Sequence, residues 1–166
     1  MTAPSTGPRS AVRAILMAGL IAGVLDITAA CTLAGVRAGV SPVRVFQSVA
    51  GGLLGPATFK GGAPTAVLGL ALHFFIATGA AAVYYAASRK MMSLVERPVL
   101  SGLLYGIAVW VFMNFVVLPL SAVTKRPFDP SAAAIMIVIH MLFVGLPIAL
   151  AVRRYGPAPD ASHPAP

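Results

Sequence analysis

Residues 65–88 read TAVLGLALHFFIATGAAAVYYAAS, an apolar run without one Asp, Glu, Lys or Arg. A helix rises about 1.5 Å per residue, so a run of this length crosses the roughly 30 Å hydrocarbon layer of a bilayer. Three more runs of the same kind occupy residues 15–36, 99–120 and 131–152. In lipid a helix satisfies its own backbone, and the gaps between these runs leave no room for strands. The sequence therefore predicts an all-α fold, a four-helix transmembrane bundle forming one membrane domain over residues 12–154.

Composition agrees. Of 166 residues, 58% are hydrophobic and 10% charged, whereas a soluble domain carries about 25% charged residues. That excludes a soluble globular enzyme and a disordered protein. Lys and Arg number 12 against 4 Asp and Glu. In so apolar a chain this excess belongs beside anionic lipid headgroups at the Arg/Lys loops, with Arg89-Lys90 and Arg153-Arg154 the clearest cases, and not on nucleic acid. One cysteine excludes an internal disulfide. The ends, 1–11 and 155–166, are rich in Pro, Ser and Thr or in Pro alone and read as disordered tails.

Three connections separate the spans. Arg89–Arg97 is short, so spans two and three are expected to be antiparallel neighbours. Asp129 is positioned to cap the fourth helix with Pro130 in its first turn, and Pro98 opens the third. The first connection is longer and contains a helix signal. Ser41-Pro42 is a cap and first turn, and Val45, Phe46, Val49 and Leu53 share one face with Arg44, Gln47 and Ser48 elsewhere. We expect a short interfacial or re-entrant amphipathic helix over 41–55, either a strut or a gate formed by Ser41, Pro42, Arg44, Phe46 and Gln47. Gly55-Pro56 ends it, and Gly61-Gly62 and Pro64 allow a sharp return into span two.

A weak internal repeat is visible. Ala18-Gly19-Leu20-Ile21-Ala22-Gly23-Val24 aligns with Ser101-Gly102-Leu103-Leu104-Tyr105-Gly106-Ile107, and Leu72-His73-Phe74 with Ile139-His140-Met141. The two offsets differ by about the length of the amphipathic insert, as two similar hairpins would require. The pairs Gly19/Gly23 and Gly102/Gly106 and the lone Gly69 are expected at helix-packing faces, where a missing side chain lets backbones approach.

Each span carries one strongly polar residue: Asp26, His73, Asn114 and His140. At about 1.5 Å per residue, Asp26, His140, His73 and Asn114 lie roughly 1, 2, 5 and 7 Å from the midplane, all toward the side opposite the termini. Such residues face protein or water by necessity. Gly19, Gly23, Asp26 and Ala30 form one stripe. Gly69, His73, Ala77 and Ala81 form another, continued by Tyr84. Asn114 flanks the face of the third span, about 80° round from Gly106. The bland reading of this Asp/His/Asn layer is hydrogen-bonded glue that fixes helix register. A second is a proton-linked or small polar solute pathway, with Asp26 as the protonatable centre and His73 and His140 as relay partners. A third is a bis-His haem b electron-transfer subunit on His73 and His140. A fourth is a metal site of Asp26, His73 and His140, which lacks any supporting motif. No cofactor is required by the sequence, and nothing supports a catalytic nucleophile or an enzyme. Tyr84 and Tyr85 read as interface anchors and Trp110 as packing.

The residues Gly39-Val40-Ser41-Pro42, Phe46-Gln47-Ser48 and Gly51-Gly52-Leu53-Leu54-Gly55, then Leu70-Ala71-Leu72-His73-Phe74, then Met113-Asn114-Phe115-Val116-Val117-Leu118-Pro119-Leu120, resemble uncharacterised four-helix bacterial inner-membrane proteins. The resemblance covers residues 12–150 and implies a multi-pass protein of the bacterial inner membrane. It brings no activity. Lys and Arg fall seven to five in favour of the side holding the termini (Arg9, Arg13, Arg89, Lys90, Arg97, Arg153, Arg154 against Arg37, Arg44, Lys60, Lys125, Arg126), which predicts cytoplasmic termini. Arg9 and Arg13 before an apolar stretch ending in Thr28-Ala29-Ala30-Cys31 loosely resemble a lipoprotein leader. Asp26 within the stretch argues for an uncleaved first span. The partners expected are the bilayer and a second copy, a homodimer joined through the GxxxG faces, or a membrane complex to which the chain is an accessory subunit.

Overall fold

The computed structural model describes residues 8–124 and 129–156, with side chains from residue 11 onward. The two terminal segments, the Arg9 side chain, Lys125 and Arg126 lie outside the described residues. Helices follow in the order α1 (Pro8–Ala38), α2 (Pro42–Leu54), a 3₁₀ turn (Gly55–Lys60), α3 (Gly62–Ser88) and α4 (Ser93–Glu96). Then come α5 (Pro98–Phe112), α6 (Leu118–Leu120), α7 (Pro130–Ile139) and α8 (Leu146–Tyr155). No strand occurs among the described residues. Four helical stretches are long and apolar enough to cross a membrane: Ala11–Ala38, Gly62–Ser88, Pro98–Leu120 and Pro130–Tyr155. This is the architecture of a multi-pass, four-helix membrane protein. Residues 8–11, expected in the N-terminal tail, are helical, because a proline fits a first turn at no hydrogen-bonding cost.

Local chemistry explains the starts. The Asp129 carboxylate accepts from the Ser131 amide (2.9 Å), the Ser131 hydroxyl (2.7 Å) and the Ala132 amide (3.3 Å). The Ser131 hydroxyl, the two amides and the charge of Arg37 together hold this carboxyl below its ordinary value. Two prolines shape the far halves of spans three and four. Pro119 and Pro147 lack an N–H, and their rings would collide with the carbonyls of Phe115 and Phe143. The helix widens into π turns just before each, at Met113–Val117 and His140–Gly145, which makes room for the ring.

α1 packs between α3 and the fourth span, and α5 packs on the fourth span. Lipid offers no hydrophobic drive for helices to associate, so close approach at small residues carries the packing. A Cβ on Gly19 would sit 2.7 Å from Thr78 Cα, and one on Gly23 2.7 Å from the Phe74 ring. In the second hairpin, Gly102 faces Gly145 O (2.9 Å from an added Cβ) and Leu146 Cα, and Gly106 faces the His140 carbonyl and Met141. Carrying Thr78 and Phe74 through the repeat offset gives Gly145 and Met141. The contact register of hairpin α1–α3 therefore recurs in the hairpin of spans three and four.

The buried core lies in the half nearer the termini, where Ala18 and Ala22 of α1 and Ala81 and Tyr84 of α3 meet Val144, Ile148, Ala149, Ala151 and Val152. Spans two and three, expected as antiparallel neighbours, meet through side chains, without the close backbone approach that spans one and four make. Repeat partners explain the difference: Ala22 sits where the second hairpin has Tyr105. The Tyr105 ring stands 4.9 Å from Tyr84, and its hydroxyl donates to Ala80 O at 2.7 Å. A bulky side chain joins spans two and three where methyl groups join spans one and four. Tyr84 is accordingly no interface anchor. It is 1% exposed, with its hydroxyl on Leu94 O at 2.9 Å. Trp110 is buried, as expected of a packing residue.

Candidate functional site

The mid-span polar residues stand where the packed half of the bundle gives way to a looser one. Beyond Gly23, α1 has no buried residue, and of α7 only Ile139 is buried. Asp26 is half-buried one turn past Ala22 and Gly23. Its Oδ1 is sealed from solvent and has no hydrogen-bond partner among the described residues. Almost every buried polar atom in a folded protein has a partner, so an exception asks for a bound proton, an ion or a functional role.

The two histidines are held by backbone. His73 Nε2 lies 2.9 Å from Gly23 O, reaching from α3 to α1 one turn before Asp26. A carbonyl oxygen only accepts, so Nε2 is the donor in this bond. The His73 ring also meets Phe74 edge-on at 5.5 Å. His140 Nδ1 lies 2.8 Å from Met136 O on its own helix, so here Nδ1 is the donor and Nε2 is left over. Asn114 Nδ2 donates to Trp110 O at 2.9 Å, again within its own helix.

The structure thus joins His73 to the first span beside Asp26. Asn114 and His140 each close a bond on their own helix, at the start of the two π turns. Among the described residues no three of His, Cys, Asp and Glu come together as a metal-holding group. For haem ligation through Nε2, His73 would first have to release Gly23 O. Cys31 is half-buried and unpaired with any other cysteine.

A second polar cluster surrounds α2. Gln47 lies off the face that Val45, Phe46, Val49 and Leu53 share, as expected, yet it is 4% exposed. Its Nε2 donates to Gly62 O (3.0 Å) and Thr65 Oγ1 (3.2 Å). The Thr58 hydroxyl donates to Gln47 O at 3.0 Å, and the Thr65 hydroxyl lies 2.8 Å from Thr58 O. The face of α2 that packs on α3 is Gln47, Ala50 and Gly51, while Leu53 is 64% exposed. The reason is steric. Gly69 of α3 brings the Phe46 carbonyl and the Ala50 amide against its own backbone, and only a small-residue face approaches so closely. The apolar side chains Val43, Leu53 and Leu54 are left outward, the placement of a helix set into lipid. The far end of α2 reaches the third span, where the Ala122 amide donates to Gly52 O at 2.9 Å. Ser41 and Pro42 start the helix, and Arg44 lies over the Phe59 ring at 5.0 Å.

Thr58, Thr65 and Gly145 were not singled out from sequence. Thr58 sits in a stretch read as connection and Thr65 at the first residue of the second span, and no helical period links them to Gln47 across the turn. Gly145 carried a signal, a glycine in an apolar span two residues before a proline. Compared with protein-family models, curated proteins and solved structures, the chain finds no match.

Proposed function

We propose that this integral membrane protein provides a proton-linked or small polar solute pathway with Asp26 at its centre. The observation that carries the reading is the sealed, unpartnered Oδ1 of Asp26 in the middle of an apolar span. An ionised carboxylate there costs roughly 2.5–3.5 kcal/mol on the insertion scale. A protonated one would still need an acceptor, and a transient one would use both states. Each histidine has one ring nitrogen fixed by a carbonyl and the other left over, the arrangement a relay needs. Access would come from the side opposite the termini, where the two hairpins pack less tightly, with α2 and its 3₁₀ turn as the gate across that end.

An accessory subunit of a membrane complex, or a homodimer, is the second reading. Asn114 and His140 favour it, since both are half-buried yet bonded only to their own helix, as residues awaiting a neighbouring helix would be. We assign the chain to the bacterial inner membrane from its resemblance to inner-membrane proteins, and its termini to the cytoplasm from the distribution of Lys and Arg.

Proteoliposomes loaded with a pH-sensitive dye and driven by a potassium diffusion potential test the pathway. The wild type should acidify the lumen faster than protein-free vesicles. Asp26→Asn should fall to the protein-free rate while its helicity and elution volume stay unchanged. An Asp26→Asn protein with wild-type flux overturns the proton-centre reading.

A further inference from the structure

We propose a phosphate-binding site at the end of the bundle that holds the termini, formed by Arg13, Arg154 and Tyr155 and occupied by the headgroup of an acidic phospholipid. Arg13 comes from the start of α1, and Arg154 and Tyr155 from the last turn of α8. The fold brings both guanidinium groups to one ring, at 5.6 and 5.8 Å from the Tyr155 centroid. Two like charges gathered on one ring repel each other, and neither is answered by an acidic side chain among the described residues. Those are Asp26 at mid-span, Glu96 and Asp129, and none forms an ion pair with either arginine. A shared anion removes the repulsion. The ring holds the guanidinium groups by cation–π attraction and leaves their N–H edges for phosphate oxygens.

The surroundings point to lipid as the source of the phosphate. Leu16 lies three residues into the span from Arg13 and is 54% exposed, and Leu150 lies four residues into the span from Arg154 and is 44% exposed. At these spacings each leucine falls on the same helix face as its arginine, one turn deeper in the membrane. A phosphate held at the arginines therefore has apolar side chains beneath it, where acyl chains would run. Free phosphate would use only the arginines. The site is independent of Asp26 and of any pathway.

The test is thermal unfolding of the full chain in detergent, with added short-chain phosphatidylglycerol, short-chain phosphatidylcholine or inorganic phosphate. Phosphatidylglycerol should raise Tm by about 2–4 °C at saturation, and the other two should not. Arg13→Gln and Arg154→Gln should each weaken half-maximal binding about tenfold. Arg13→Lys, which keeps the charge but loses the planar fork, should fall between. Lys60→Gln, at the opposite end, should behave as wild type. A shift that survives both Gln variants, or that phosphatidylcholine matches, overturns the site. A shift reproduced by inorganic phosphate overturns its assignment to lipid.

Discussion

At Gly106 one added carbon would enter the backbone of the facing helix, against the His140 carbonyl and Met141. Backbone cannot swing aside as a side chain can. Gly106→Ala should therefore cost about 1–3 kcal/mol, read as a lower thermal midpoint in detergent. Gly79→Ala meets nothing within 4 Å and should leave the midpoint unchanged or slightly higher, because alanine is the better helix former. The contrast checks that the steric contact, and not glycine content, sets the stability. Asp129 gives a pH signature at the same scale. Folding depresses its pKa through the Ser131 hydroxyl and the capped amides. Its contribution is therefore fully present above its ordinary value of 3.8 and is lost as pH falls through the depressed folded value. The midpoint of the wild type should drop on acidification below that point, and the midpoint of Asp129→Ala should drop less. Identical acid profiles would remove the cap from the stability of the fourth helix.

α2 is tied down at both ends of its small-residue face. Gln47, Thr58 and Thr65 bond one another and the Gly62 carbonyl, and Ala122 holds the far end through Gly52. The 3₁₀ turn that follows α2 is bracketed by positive φ at Gly55 (61°) and Gly62 (61°), a region open to glycine at little cost. Gln47→Leu keeps the bulk but removes the donor that Gln47 supplies to the Gly62 carbonyl and the Thr65 hydroxyl. The Thr65 hydroxyl still donates to the Gly62 carbonyl, so the loss is the net worth of a hydrogen bond, about 0.5–1.5 kcal/mol. Amide exchange over residues 42–60 should rise severalfold, with the four spans still protected. If exchange over this segment is unaltered, the polar cluster is not what fastens α2. The π turns are a second lesson at this scale. Each lies just ahead of a proline, so the polar residues at their starts, Asn114 and His140, occupy the places where the backbone ladder is already disturbed.

In the whole molecule, two hairpins share one contact register yet meet each other unequally. Ala18 and Ala22 let the first span close on the fourth, whereas Tyr105 joins spans two and three through its ring and hydroxyl. The core consequently concentrates near the termini. An even number of spans puts both ends of the domain on one side of the membrane. Fusions of green fluorescent protein, which fluoresces only when folded in the cytoplasm, should glow from both ends. Fluorescence from one end alone would break the four-span topology, and darkness from both would invert the orientation.

The sequence by itself determined the number of spans, their limits to within a few residues, the cap at Asp129, the start of the third span at Pro98 and the presence of α2. Each follows from hydropathy over a window or from a residue whose backbone chemistry is local. The glycines at 19, 23, 69, 102 and 106 were legible too, since glycine in an apolar helix has few uses besides close approach. Only the tertiary structure decided what they approach. Gly69 turned out to face α2, and Gly145 completes the seam opposite Gly102. It also decided that Gln47 points inward, because packing against Gly69 outweighs the apolar period of α2. The mid-span layer was half legible. Depth along a helix is a matter of counting, and counting alone gives Asp26, His73, Asn114 and His140 similar expected depths. Which of them touch depends on the rotation and neighbours of each helix. Tertiary packing alone brought His73 to Gly23, kept Asn114 and His140 on their own helices and left one oxygen of Asp26 without a partner.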